Sequence, residues 1–172
     1  CGFDNINTDL IAGLPTDTPE SFKNSLDSIV RLNAECITVH TLCMKRASRL
    51  TTEGVTLDLQ QARDAREMLA YTQNILGQNE YIPYYMYRQS RMVGNLENVG
   101  WSKKGFESLY NVYVMDETHT ILACGSGGVT KLKRNNPDYL ERIFNFKYPY
   151  EYIDRFDELI QRKSGIMQFY GQ

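Results

Sequence analysis

The chain has 172 residues, 42% of them hydrophobic and 23% charged, with a formal net charge of −2. That is enough for a domain with a core of its own and an ordinary globular composition, and the near-neutral balance gives no electrostatic footprint for nucleic acid or an anionic membrane surface. No apolar run approaches the ~18 residues that cross a bilayer, nothing reads as a secretory signal, and the expected location is the cytoplasm.

Four cysteines, Cys1, Cys36, Cys43 and Cys124, match no zinc ribbon, no CxxC redox pair and no iron–sulfur ligand spacing. Cys36 and Cys43 lie in or beside an apolar run, where a thiol acts as a small hydrophobe. The first residue is Cys, not Met, and a strand starts within ten residues of it, so the chain is expected to be a piece of something longer.

Residues 6–14, INTDLIAGL, read as a strand buried on both faces, as in parallel sheets, and Pro15 bounds it. Thr18 as N-cap, Pro19 at the first helical position and Glu20 in the first turn open a helix. Its apolar face is Phe22, Leu26, Ile29 and Val30, and it stops near Asn33. Residues 36–43, CITVHTLC, form a second strand, which makes a parallel βαβ unit. A polar loop over 44–57 leads to a long helix from Asp58 to Leu76. Asp58 and Gln61 form a capping box, Ala62, Ala65, Leu69, Thr72 and Leu76 face inward, and Gly77 is the expected stop.

Residues 81–88, YIPYYMYR, read as a third strand, with Pro83 marking its start or a sheet edge. The stretch 89–108 has no periodicity and reads as a long functional loop ordered by Trp101 and Phe106. Two alternating strands, 109–115 and 119–124, then flank a turn at Asp116, Glu117 and Thr118, which predicts a hairpin. A short strand over 129–134 and a helix over 150–162, with Ile153, Phe156, Leu159 and Ile160 inward, end the chain. The expected organisation is a barrel-like part over 1–90 and a second region over 91–172. Two or three parallel strands do not close a (β/α)8 barrel; they suit the later part of a partial one.

Asp9 is the residue that strand reading does not explain. A buried carboxylate is costly unless paired or hydrogen-bonded. At the carboxyl end of a parallel strand it could accept from a ribose hydroxyl or an ammonium; it could equally cap a neighbouring loop. Gly125, Ser126, Gly127 and Gly128 leave two readings as well: a backbone able to approach a ligand closely, or a tight turn between strands. They lack the GxxxxGK[ST] spacing of a phosphate loop. His40, mid-strand, is expected to be a hydrogen-bonded core histidine, and His119 to be solvated in the hairpin turn.

The string DLIAGLPTDTPESF, a helix ending in LN, and then ITVHTL resemble the second half of the radical-SAM core of oxygen-independent coproporphyrinogen III oxidases. That family's pattern is DLI-x-GLP-x-(Q/D)T-x-ESF, followed one βα unit later by a strand of the S-V-x-x-L type. The stretch YYMYRQSRMVGNLENVGW resembles one branch, the HemZ-like coproporphyrinogen dehydrogenases. Together the matches cover most of residues 3–135; the first motif also occurs in haem chaperones related to the family.

The resemblance implies a partial (β/α)6 barrel that binds S-adenosylmethionine and a 4Fe–4S cluster. It implies that Asp9 contacts S-adenosylmethionine, and that Cys43 and Val129 contact it through their backbone. The side chains of Cys43 and Val129 differ from those common at these positions, which a main-chain contact tolerates. The implied reaction uses a 5′-deoxyadenosyl radical to take a hydrogen from a propionate of coproporphyrinogen III, and loss of CO₂ and an electron leaves a vinyl group. The substrate's carboxylates call for basic groups, and the candidates are Arg88 and Arg91, which flank the third strand, with Lys103, Lys104, Lys131, Lys133 and Arg134 beside them; ordinary surface charge is the plainer role of each. Trp101 and Tyr84–Tyr87 could line a macrocycle pocket, with core packing the plainer role.

The departure from the family is that CxxxCxxC and the glycine-rich strand end that holds the methionyl group are absent. In the family both lie N-terminal to DLI-x-GLP. A C-terminal fragment, missing the first half of the barrel, inactive by itself and inclined to self-associate, is therefore expected. Two other readings stand beside it: a haem-trafficking relative with the same barrel, distinguished by haem binding, and a stand-alone α/β binding domain, distinguished by behaving as a stable monomer.

Overall fold

The computed structural model describes residues 2–44, 58–88, 92–135 and 138–171. The chain divides into two compact units, Cys1–Ser108 and Leu109–Gln172. Residue 90, the expected boundary, falls inside the first.

The first unit is a mixed four-stranded sheet backed by two helices. β1 (Asn7–Ala12), α1 (Pro19–Leu32) and β2 (Cys36–Thr41) form the expected unit, with β1 and β2 parallel and Asp9 in register with Thr38. α1 forms where the chain supplies both ends. Thr18 is extended and accepts the amide of Ser21 while the Ser21 hydroxyl takes the amide of Thr18, and Asn33 closes the helix at φ 61. α2 (Leu59–Gln78) starts on the expected Asp58–Gln61 capping box. It runs through Gly77 and stops at Asn79, so Gly77 is not its terminator.

β3 (Ile82–Tyr87) is an edge strand, irregular at Pro83. Residues 89–108 are not all loop. A 3-10 turn spans Val93–Asn95, and β4 (Asn98–Ser102) inserts between β2 and β3, antiparallel to both, giving the order β1-β2-β4-β3.

One face of this sheet is dry. Ala12, Ile37, Val39 and Trp101 meet Phe22 and Leu26 of α1 and Met68 and Leu76 of α2. Trp101 therefore belongs to the core. Gly13, just past β1, has φ +83, and a Cβ there would stand 3.2 Å from the Cβ of Ala65, so the glycine of LIAGLP lets α2 close on the strand end. The opposite face is polar and partly open: Asp9 and His40 reach solvent, while Cys36, Thr38 and Ser102 are buried. β1 is an edge strand and alternates exposed and half-buried residues, which corrects the expectation of burial on both faces.

The second unit differs more from expectation. Residues Leu109–Asp116 are a helix, α3, not the first strand of a hairpin, and 119–124 contributes one isolated bridge, Ile121 to Lys131. The antiparallel pair is β5 (Val129–Asn135) with β6 (Asp138–Phe144). The single terminal helix is three: α4 (Pro149–Asp154), α5 (Phe156–Lys163) and α6 (Gly165–Tyr170). Of its four expected inward residues only Leu159 is buried. The core is Leu132, Ile143 and Phe169, with Ile166 against it. Phe146 lies between the guanidinium groups of Arg155 and Arg162, each 4.2 Å from the ring centre, and Glu158 bonds both arginines.

Candidate functional site

The open face of the first sheet carries a polar array set by strand register. Asp9 of β1, Thr38 of β2, Gly100 of β4 and Tyr85 of β3 form one row across the sheet. Gly100 leaves the space in which the Tyr85 ring lies: a Cβ on Gly100 would stand 1.8 Å from Tyr85 Cε1. The Tyr85 hydroxyl thereby crosses β4 and comes within 3.3 Å of Thr38 Oγ1, which donates to Asn7 Oδ1 at 3.0 Å. Asn7 Nδ2 donates to Asp9 Oδ1 at 2.7 Å.

Tyr87, stacked parallel to Tyr85 at 6.2 Å, reaches His40 Nδ1 at 3.3 Å, and His40 Nε2 faces Asp9 Oδ1 at 3.9 Å. Burial raises the pKa of both tyrosines, and the Asp9 charge adds to it, so both remain phenols at neutral pH. Cys36, on the same face, is buried and donates to the Phe106 carbonyl at 2.9 Å; burial pushes its thiol up, with Glu35 and Glu107 adding to that.

Asp9 itself is not buried. Its side chain is 59% exposed, so the sequence argument from a buried acid is corrected. The reason is the uncovered face: an edge-strand carboxylate pointing into solvent carries no desolvation cost. Among the described residues, Asn7 makes its only hydrogen bond. His40, expected to be a core residue, stands on the open face with its side chain 29% exposed. It was missed as a site residue because strand position does not say which face a neighbouring element covers; its two-residue offset from Thr38 and its i, i+2 counterparts Tyr85 and Tyr87 were the available signal.

The other expected site residues belong to other elements. Cys43 follows β2 and bridges to Met92, at most about 17 Å of chain beyond Thr38. Arg88 lines a groove of about 640 Å³ between α2 and the β3–β4 edge, together with Leu69, Met86 and Val99, and pairs there with Glu97 at 2.6 Å. Arg91 lies outside the described residues.

Val129 belongs to the second unit, where it opens β5. The glycines before it are held by Asn145, whose side-chain amide donates to the Gly125 carbonyl at 2.7 Å and whose backbone amide donates to the Gly128 carbonyl at 3.0 Å. Lys103 donates to Asn33, Lys131 to Glu117 and Arg134 to the Phe169 carbonyl, all contacts within their own units. His119 bonds the Thr118 hydroxyl and lies against Tyr113; the hairpin turn in which it was expected does not form.

The array can accept and donate hydrogen bonds to a neutral or cationic polar ligand at Asp9. Holding a cluster is another matter. Among the described residues no three His, Cys, Asp or Glu side chains are grouped to take a metal, and the described cysteines Cys36, Cys43 and Cys124 are free thiols.

No family model matches the chain. The fold is similar to part of one solved structure. It superposes with a TM-score of 0.57, over 91% of this chain and 35% of the other, on the structure titled "Coproporphyrinogen III oxidase (HemN) from Escherichia coli is a Radical SAM enzyme", at 18% identity. In sequence the chain is 37% identical over 167 residues to the oxygen-independent coproporphyrinogen-III oxidase-like protein HemZ of Bacillus subtilis (strain 168), a match that covers 97% of this chain and 33% of that protein. The resemblance to the oxygen-independent coproporphyrinogen III oxidases thus stands on both sequence and fold, and the chain spans about a third of the curated relative it matches. Among the described residues no helix is long and apolar enough to cross a membrane.

Proposed function

We propose that this chain is the later, C-terminal part of a radical-SAM coproporphyrinogen III dehydrogenase, and that its first sheet is the later part of a (β/α)6 barrel whose interior is the open face. The intact protein would convert propionate side chains of coproporphyrinogen III to vinyl groups in haem biosynthesis. The observation that carries this reading is an exposed carboxylate, Asp9, on a polar sheet face otherwise lined by neutral donors and acceptors.

The residues fit the nucleoside part of S-adenosylmethionine. Asp9 is solvent-accessible, is engaged by one neutral amide and is free to accept from ribose hydroxyls. Cys43 would present its backbone to the same molecule, and Arg91 would serve substrate carboxylates; Arg88 lines the α2 side of the sheet, paired with Glu97, and is not on the open face. When bound, S-adenosylmethionine supplies the radical that abstracts hydrogen. This chain's residues orient it: Asp9 anchors the sugar, while Tyr85 and Tyr87 wall the site with aromatic surface and fixed hydroxyls.

The cluster does not fit this chain, which has no CxxxCxxC spacing. Its ligands belong to the missing part of the barrel, and the chain alone is inactive. An aqueous cytoplasmic enzyme acting on a soluble porphyrinogen completes the reading.

The test is anaerobic assay of the full-length protein, with the vinyl product read by porphyrin chromatography, beside binding of S-adenosylmethionine by calorimetry. Asp9→Asn should weaken that binding about tenfold or more, the loss of a charged hydrogen bond. Full-length protein that retains haem and forms no vinyl product would replace the dehydrogenase with the haem-trafficking reading.

A further inference from the structure

His40 is a titratable side chain on the open face to which no role has been given, and its two ring nitrogens face different groups. Nδ1 meets the Tyr87 hydroxyl at 3.3 Å and Nε2 points to Asp9 Oδ1 at 3.9 Å. An ionised carboxylate only accepts hydrogen bonds, so the ring proton belongs on Nε2, facing it; Nδ1 is then the acceptor and Tyr87 the donor. Tyr87 is well suited to this, being a phenol stacked against Tyr85 and held on the face by the sheet register. The titratable groups around His40 are Asp9 from β1 and Tyr85 and Tyr87 from β3; β4 presents Gly100 and the amide Asn98.

The 3.9 Å gap is the informative quantity. It is too long for a hydrogen bond between His40 and Asp9. It is the right width for one oxygen to sit about 2.8 Å from both, making an angle of about 90°. Such an oxygen must accept from Nε2–H and donate to the carboxylate at once. A hydroxyl does both; an ammonium cannot accept and a carboxylate cannot donate.

We propose that His40 is a second ribose-binding residue: its Nε2–H and the Asp9 carboxylate take the same sugar hydroxyl of a bound nucleoside, with Tyr87 fixing the imidazole tautomer. The inference rests on the proposed placement of S-adenosylmethionine at Asp9. It makes His40 a specificity group for a ribonucleoside, since a deoxy sugar leaves both partners unsatisfied.

The test measures equilibrium binding of S-adenosylmethionine, and of its 2′-deoxy and 3′-deoxy forms, to the full-length protein carrying this chain. His40→Phe should weaken binding of the parent nucleoside about tenfold, and His40→Gln, which restores a donor, should recover most of it. One of the two deoxy forms should bind the wild type at least as weakly as the parent binds His40→Phe, since it loses the Asp9 contact as well, and should be indifferent to that substitution. Asp9→Asn and His40→Phe should be less than additive when combined, because they act on one hydroxyl. Wild-type affinity in both His40 variants, with Asp9→Asn still weakened, overturns the inference and leaves the Asp9 reading standing. Unchanged affinity in Asp9→Asn and His40→Phe alike removes the site from this face.

Discussion

Gly100 is explained by Tyr85. Its missing side chain lets a tyrosine from the edge strand lie across β4 and place its hydroxyl by Thr38, so the polar row is one continuous network. Gly100→Ala forces the ring aside. We expect a loss of about 1–3 kcal/mol in urea unfolding, the usual cost of overpacking. Gly100→Ala in a Tyr85→Ala background should cost much less, because the clash is gone; an equal cost in both backgrounds would refute the account. A second residue-scale expectation concerns thiols. Cys36 is buried and hydrogen-bonded with a raised pKa, whereas Cys124 is exposed, so iodoacetamide at neutral pH should label Cys124 well before Cys36. Sequence reasoning reached Asp9 by its chemistry and misjudged its burial, and it assigned His40 to the core. Both errors have one cause: a strand pattern reports the two faces but not which of them another element covers.

At the level of elements, the helix ends were readable because they are written in adjacent residues. Thr18, Asp58 and Asn33 each do what their side-chain chemistry favours. Thr18→Ala should cost about 1 kcal/mol, read as a lower denaturation midpoint with unchanged slope, and Thr18→Asp should restore it. Loss of nothing on Thr18→Ala would mean that the Asp17 carboxylate, which also accepts the Thr18 amide, substitutes for the cap.

β4 was overlooked although Asn98-Val-Gly-Trp-Ser alternates with period two, Val99 and Trp101 facing the core. Its glycine and asparagine are poor strand formers, and what makes it a strand is pairing on both sides, a tertiary fact. The reverse happened at 109–116. LYNVYVMD alternates and is rich in residues that favour strands, yet it is helical, so local propensity was overridden there. The terminal helix was one apolar face in projection and three short helices in space, breaking at Arg155 and Ser164.

For the molecule as a whole, the clearest pH dependence comes from the second unit. Glu117, at φ 53 just after α3, accepts from Lys131 and Arg142, each at 2.7 Å. The hydrogen bond from Lys131 holds its carboxyl below the ordinary carboxylate range; partial burial opposes this, and Arg142 adds to it. A carboxyl whose folded pKa is depressed stabilises the fold fully above its unfolded value of about 4.3, and this is lost as pH falls through the folded value. Its side chain is 37% exposed, so solvent screening limits the contribution to about 1 kcal/mol or less, about 2–4 °C in a chain of this size. Glu117→Gln should therefore melt lower than the wild type by a constant amount above about pH 5. Below that the gap should close, because a protonated glutamic acid and a glutamine make the same neutral contacts. The general gain of positive charge in acid lowers both melting curves together and leaves their difference untouched. A gap that stays constant down to about pH 3, below the unfolded value, would mean that the glutamine is penalised for its shape, and that the ion pairs joining α3 to β5 and β6 contribute nothing to stability.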